Sequence, residues 1–457
     1  MATANSVKHE HAIVIGASVA GLLAARVLSD SFARVTVLER DHLSSDFSPR
    51  KGIPQGNHSH ALLARGFTVM EHLFPNLGND FLKQGAIPTD PIRDGFLHQY
   101  GVYKLRFSSG LNGYLATRPL IEEILRRRMA ALPNVTLRPG SGVSELMHDP
   151  TRECVTGVRL NKNEETITAD LVVDASGRGS KSPHWLKALG YDIPEESTVK
   201  VDLGYASRLY RRVPGDFLGC ITVEKPPHGT RGAVLVAQEN DLWMLTLFGY
   251  AGDHPPTDEQ GFNEFIRSLP IPIIAEVIQK TQPCTEISVY KIPSSLRRHY
   301  ERLRRFPMGY LVLGDALCSF NPVYGQGMSV SAAEMEALQM ALHESPTLEK
   351  LAKRFYKRVT PLVDVPWSLA AGGDLAYAHV EGQRGPIVRL LNAYVVQVHF
   401  AAAVDQAVAR AFFRVANLVE SPMALFKPDI IWRVLRAPKP KPTTTMQPRV
   451  LADRHPL

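Results

Sequence analysis

Cysteine is scarce in this chain, with four in 457 residues, at Cys154, Cys220, Cys284 and Cys318. None stands in a Cys-x-x-Cys pair or at a zinc-site spacing from histidine. Neither a disulfide framework nor structural zinc is expected, and a reducing compartment suits the chain. Long apolar runs are missing as well. No window reaches the ~18 continuous apolar residues of a membrane-spanning helix, and Met1–Glu10 is polar, without the apolar core of a secretory signal. These absences point to a cytoplasmic protein. Dense blocks of one charge are also lacking. The net charge of +7 is spread over short groups such as Arg126–Arg128, Arg211-Arg212 and Arg297-Arg298, with no aromatic residues between them. They read as solvated faces with a tolerance for anionic ligands, and nucleic acid is not an expected partner.

What is present suits a globular enzyme. The length allows two packed domains and a further helical piece, and 44% apolar with 21% charged residues is ordinary for a soluble fold. His11–Ile15 is an apolar run ending at Gly16, Leu22–Leu28 continues with helical small and apolar residues, and Val35–Leu38 is a second buried strand closed by Glu39. That strand–turn–helix–strand unit opens a dinucleotide-binding fold. Ser48–His60, rich in Pro, Gly and His, reads as a long loop before a helix at Arg65–Leu73. Arg118–Leu132 carries helix signals, with Pro119 early, Glu122 and Glu123 in the first turn and arginines later. From about residue 185 the pattern changes to alternating strands, Val199–Leu209, Cys220–Glu224, Gly232–Gln238 and Leu242–Tyr250, as an antiparallel sheet with one wet face requires. Helices follow at Glu259–Leu269 and Pro272–Ile278. The last hundred residues are mostly helical, at Thr347–Val359, Ile387–Val419 and Ile430–Leu435. Ala437–Leu457, rich in Pro and Lys, reads as a disordered tail.

Three motifs carry chemistry. Gly16-Ala17-Ser18-Val19-Ala20-Gly21 fills a G-x-G-x-x-G slot with Ser18 at the second glycine. The first glycine permits the tight turn, the third permits close helix–strand packing, and a diphosphate would lie on the helix N-terminus. Ser18 adds a Cβ and a hydroxyl donor. Glu39, about 20 residues on, can accept ribose hydroxyls; it can equally be a solvated strand end. Asp174-Ala175-Ser176-Gly177-Arg178-Gly179-Ser180 follows a buried strand and serves either as a plain turn or as a loop that lets cofactors pass close to backbone. Gly314-Asp315-Ala316 ends the strand Tyr310–Leu313, where open α/β sheets bind ligands. Asn321–Met328 then opens the helix Met328–Leu342, whose first amides can meet negative charge. A carboxylate for a polyol beside amides for an electron-rich ring says FAD rather than NAD.

In this order the three motifs resemble those of the class A (single-component) FAD-dependent monooxygenases. Within that family, Arg50-Lys51-Gly52-Ile53-Pro54-Gln55 with His58 and His60, and Phe320–Met328, resemble the bacterial polyether-type epoxidases and related FAD-dependent oxidoreductases. The similarity runs over roughly residues 10 to 340. It implies an α/β fold with a Rossmann-like FAD-binding domain at 10–180 and 300–345 and an inserted antiparallel β-sheet substrate domain at 181–299. C-terminal helices at 346–436 and the tail at 437–457 complete the division. It places Gly16, Ser18 and Gly21 at the diphosphate and Glu39 at the adenosine ribose. Arg118 falls on the flavin side of the diphosphate, Arg50 near the flavin or donor phosphates, and Asp315 at the ribityl chain. Gly325, Gln326, Gly327 and Met328 fall at the isoalloxazine edge. The implied activity uses NADPH or NADH and O2 to epoxidise or hydroxylate an apolar small molecule through a flavin C4a-hydroperoxide, in a monomer or homodimer.

Ser18 and Asp174-Ala175, where relatives often carry Asp-Gly, depart from the family pattern. His58 and His60, two apart on an extended loop, point to the same side; they are pocket residues or satisfied structural histidines, and without carboxylate or cysteine partners no metal is expected. Tyr324 is a candidate for shaping the pocket, and Pro366-Trp367 for anchoring the C-terminal helices. No catalytic base announces itself, which favours alkene or polyene substrates. A flavin-dependent halogenase, a reductase or dehydrogenase, a redox-neutral cyclase and a flavin-binding sensor stay open as alternatives. The Trp-x-Trp-x-Ile-Pro segment of halogenases has no counterpart around Trp243.

Overall fold

The structure is a computed structural model that describes residues 9–43, 49, 50, 52–60, 62–215, 217–382 and 384–438. Most of the expected tail at 437–457, most of Met1–Glu10 and Lys51 lie outside the described residues. A five-stranded sheet forms the nucleotide-binding half, in the order Tyr310–Val312, Leu171–Asp174, His9–Ile15, Phe32–Leu38, Val135–Arg138. Every pairing in it is parallel. Ala12–Ile15, Leu171–Val173 and Tyr310–Val312 are short, continuous, buried apolar runs, as strands covered on both faces require. The helices Val19–Ser31, Gly327–His343 and Arg118–Ala130 pack together on one side, and the antiparallel sheet Val143–Asp149, Cys154–Leu160, Thr166–Thr168 lies against Leu171–Asp174. Ile13, Val14, Leu22, Val35, Val172 and Leu311 are fully buried between these layers.

The second half is an eight-stranded sheet in the order Cys318–Ser319, Ser288–Arg298, Glu196–Arg211, Leu242–Gly249, Arg231–Gln238, Gly219–Val223, Gly95–Gln99, Val102–Tyr103. The four strands expected between 199 and 250 are all present, and the pairing adds partners from far along the chain. Gly95–Gln99 joins in parallel to Gly219–Val223, and Ser288–Arg298 runs back antiparallel beside Glu196–Arg211. Successive side chains on a strand alternate faces, and here the two faces have different work. Leu245 and Leu247, with Ala206, Ala233 and Leu235, pack under the helices Glu259–Arg267 and Ile273–Ile278 through Phe262, Phe265 and Ile274. The intervening Thr246 and Phe248, with Tyr205, Val234, Tyr290 and Ile292, face the nucleotide-binding half.

One C-terminal helix differs from expectation. It runs Leu351–Asp374, straight through Pro361 and Pro366, where a stop near Val359 was expected. Proline removes a helix hydrogen bond and crowds the preceding turn. Val359, Val363, Pro366 and Ala370, at helical spacing, are all buried along one face, and that burial holds the helix together. The helices Pro386–Ala401, Gln406–Ala416 and Pro428–Arg436 complete the chain, with a break at 402–405 between the first two. Among the described residues no helix is long and apolar enough to cross a membrane.

Candidate functional site

A groove of about 830 Å³ runs between the two halves, across the C-terminal ends of the parallel strands and beneath the eight-stranded sheet. At its first end, the strand His9–Ile15 turns into the helix Val19–Ser31 through the glycine fingerprint. Gly16 has φ +104, and a Cβ there would stand 2.6 Å from the Ala175 carbonyl oxygen, so only glycine fits. A Cβ on Gly21 would meet the Gly16 carbonyl at 1.9 Å; this glycine sits behind the loop and sets how closely the helix packs. Ser18 forms no capping hydrogen bond, and the first helical turn carries no acidic residue, which leaves the dipole end open to an anion.

The Ser18 hydroxyl is spent inside the protein. It donates to Glu122 (2.9 Å) and accepts from Arg118 (2.8 Å), so it is not the spare donor that the fingerprint suggested. Glu122, buried one turn into Arg118–Ala130, is the hub of this network, pairing with Arg50 at 2.7 Å and with Arg118 at 2.9 Å. The two guanidiniums hold its carboxyl below the usual carboxylate range against the opposing cost of burial. Arg50 also lies 3.0 Å from Glu39 and stands behind the groove wall, not on it. Glu39 lines the groove and accepts from the backbone N–H of Ala17 (2.9 Å) and Asp41 (3.0 Å). A carboxylate has about four lone-pair sites, so Glu39 keeps acceptor capacity toward a ligand.

The other end of the groove is built by Gly314–Ala316 and the Pro322–Met328 turn. The Gly314 N–H donates to Glu334 (2.6 Å), a buried acid on the following helix whose pKa is pushed up to about 8 by burial. That contact fixes the turn from which Asp315 projects. Asp315 lines the groove and accepts no hydrogen bond from the described residues; burial raises its pKa, with Arg118 and Arg178 partly opposing. Gln326 caps the helix Gly327–His343 with no side-chain hydrogen bond, and its first turn is free of acids. The N-termini of Val19–Ser31 and Gly327–His343, which reach the two ends of the groove, are therefore without a side-chain cap.

The 174–180 loop closes the middle. Asp174, fully buried, accepts from the Ser176 N–H (2.9 Å) and from the hydroxyls of Ser180 and Ser182, so its carboxyl organises the loop and is not offered to a ligand. Arg178 reaches across to Ser294 (2.9 Å), tying the loop to the sheet, and burial lowers its pKa. Cβ atoms on Gly177 and Gly179 would meet nothing within 4 Å, which leaves room for a flat group to pass.

His58 and His60 both line the groove. His60 Nδ1 donates to the His58 carbonyl (2.9 Å) and Nε2 accepts from Arg118 (3.3 Å), and burial, then Arg118, pushes its pKa down to about 3. His58 is held at about 4 by burial. Among the described residues no cluster of three His, Cys, Asp or Glu could hold a metal ion. Tyr324 does not line the groove. Its hydroxyl donates to the buried Asp374 at 3.0 Å, and Asp374 also accepts from Asn321 at 2.8 Å. Sequence reasoning missed Asn321 and Asp374 as anchors of the turn, and Glu122 as the charge hub. A glutamate four residues after Arg118, with another arginine in the glycine-rich loop, was the available signal.

The residues present fit an extended dinucleotide, with uncapped helix ends and arginines for its phosphates and a carboxylate near each polyol. The fold and this site define a dinucleotide-binding flavoprotein. Residues 10–347 match the family described as FAD binding domain, and the chain belongs to that family, whose members include the class A FAD-dependent monooxygenases. The chain is 33% identical over 444 residues to Protein Rv3254 of Mycobacterium tuberculosis, covering 93% of each. It is 24% identical over 378 residues to squalene monooxygenase SE2 of Panax ginseng, covering 78% of this chain and 64% of that one. Among solved structures it is similar in fold to the flavin-dependent brominase Bmp2, with a TM-score of 0.67, 14% identity, and 93% of this chain and 97% of that chain covered.

Proposed function

We propose that this flavoprotein is a monooxygenase that uses NADPH or NADH and O2 to epoxidise or hydroxylate an apolar small molecule. The observation that carries the reading is the single groove. It joins the Gly16–Glu39 end to the Asp315–Met328 end and continues under a wall of Tyr205, Val234, Phe248, Tyr290 and Ile292. In this reading Gly16 and Ser18 hold the diphosphate, Gly21 sets the helix behind them, Arg118 stands beside it with Arg50 behind, and Glu39 and Asp315 hold the ribose and ribityl hydroxyls. Gly325, Gln326, Gly327 and Met328 offer backbone donors to the ring. When bound, FAD supplies hydride acceptance and oxygen activation. The chain's own part is to bind, orient and exclude water, since the apolar wall lowers the local dielectric around the reacting atoms. Tyr324 shapes the turn from outside the groove through Asp374. Residues 181–299 serve mainly as the substrate cover, joined there by strands 95–103. The halogenase alternative gains no residue from Trp243, which is buried on the sheet face away from the groove.

The test is direct. Purified protein should be yellow and release FAD on denaturation, and NAD(P)H oxidation should quicken with apolar alkenes or aromatics, with one atom of ¹⁸O₂ entering product. Halogenated product on adding bromide, or turnover without oxygen uptake, would refute the reading.

A further inference from the structure

Beneath the sheet lies one polar line in an otherwise apolar wall. His58 is 5% exposed, its ring lying between Tyr205 and Tyr290 at centroid distances of 5.8 and 6.0 Å. Its Nδ1 meets the Ser207 hydroxyl at 2.7 Å, and Ser207 meets Thr246 at 2.6 Å. Thr246 in turn donates its only hydroxyl proton to Ser59 at 2.9 Å and accepts from the Ser59 N–H, also at 2.9 Å. The protons can be followed backwards. Thr246 has none left for Ser207, so Ser207 must donate to Thr246. Ser207 then has none for His58, so Nδ1 must carry the hydrogen and donate to Ser207. This leaves Nε2 as a bare lone pair. That atom is buried and has no partner among the described residues. Nδ1 is turned toward Ser207 on the sheet, and His58 is one of the residues that line the groove. Burial keeps the ring neutral at neutral pH, so the lone pair is not lost to protonation.

From this arrangement we infer that His58 Nε2 is the specificity-determining acceptor of the substrate site, and that it selects an apolar ring or polyene carrying one hydrogen-bond donor, a hydroxyl or an amine. The inference rests on the proposed reading that the groove beneath the sheet receives substrate. It shifts the expected substrate away from a bare alkene. A buried acceptor left empty costs free energy, and a ligand that fills it recovers that cost, whereas an isostere without a donor does not. Ser207, Thr246 and Ser59 act as positioning residues that hold the tautomer.

The experiment is equilibrium dialysis of the FAD-loaded full chain against 2-naphthol and 2-methoxynaphthalene. The wild type should prefer 2-naphthol by roughly ten-fold, the worth of one neutral hydrogen bond to a buried group. His58→Phe should bring the ratio to about one while keeping flavin content. Ser207→Ala removes the group that fixes the tautomer, and should lower the ratio without abolishing it. Equal retention of the two probes by the wild type, including retention of neither, overturns the inference, as does an unchanged preference in His58→Phe. Flavin content, read from absorbance of the same samples, separates this from failure of the monooxygenase reading. A chain that takes up no FAD defeats that reading, whatever the naphthols do.

Discussion

Asp315→Asn separates ligand binding from folding at a single atom. In the structure the Asp315 carboxylate accepts no hydrogen bond from the described residues, and burial raises its pKa, with Arg118 and Arg178 opposing. The charge is therefore of no use to the empty protein. Asparagine keeps the shape and one acceptor but loses the charge, so in the proposed reading a charge-assisted hydrogen bond to a ribityl hydroxyl becomes a neutral one. Hydrogen bonds to charged groups contribute roughly 1.5–3 kcal/mol against roughly 0.5–1.5 for neutral ones. The difference of about 1–1.5 kcal/mol corresponds to a rise in FAD Kd of roughly five- to ten-fold. The sign for the apoprotein is the opposite. A carboxyl whose folded pKa is raised contributes stability at low pH that is lost as pH rises through the folded value. Asp315→Asn should therefore leave the apoprotein unfolding temperature at pH 7 unchanged or higher. The assay is fluorescence titration of FAD into flavin-stripped protein, alongside thermal unfolding of the same apo samples. Equal Kd values, or a weaker apoprotein with unaltered Kd, would refute the assignment.

Glu39→Gln should weaken FAD by roughly ten-fold while leaving FMN affinity unchanged, because in the proposed reading the lost charge-assisted bond belongs to the adenosine half; an unaltered FAD-to-FMN ratio would count against it. Glu334, shifted from 4.5 to about 8 by burial, binds a proton in the folded state that the unfolded chain has released. Stability should accordingly fall as pH rises from about 4.5 to about 8, and Glu334→Gln, which keeps an acceptor for the Gly314 N–H, should flatten that fall in melting curves. Tyr324→Phe removes a hydroxyl bonded to buried Asp374 outside the groove. It should cost about 1 kcal/mol of stability by urea unfolding with KM for substrate unchanged; a large KM change would place the ring inside the site after all.

The amino-acid order alone determined what depends on neighbours in the chain. Gly16 and Gly21 announce a turn that no side chain could enter, Glu39 closes the second strand, and Gly314-Asp315 ends a short apolar strand. Alternating runs between 199 and 250 announce strands with two unlike faces. Each is legible because turn geometry and the two-residue strand period are local properties. Which strands pair is a long-range matter. Gly95–Gln99 joins Gly219–Val223 only because burial rewards it, and nothing near residue 95 advertises a partner so far along the chain. The helix through Pro361 and Pro366 follows the same logic, since its local propensity argues for a break and its buried face overrules it. Only the folded chain brings His58 to Ser207 and Thr246, turns Tyr324 toward Asp374, and sets Glu122 between Arg50 and Arg118. Those contacts join residues that spacing cannot relate, because side-chain direction and desolvation are properties of the packed interior and not of the order in which residues are linked.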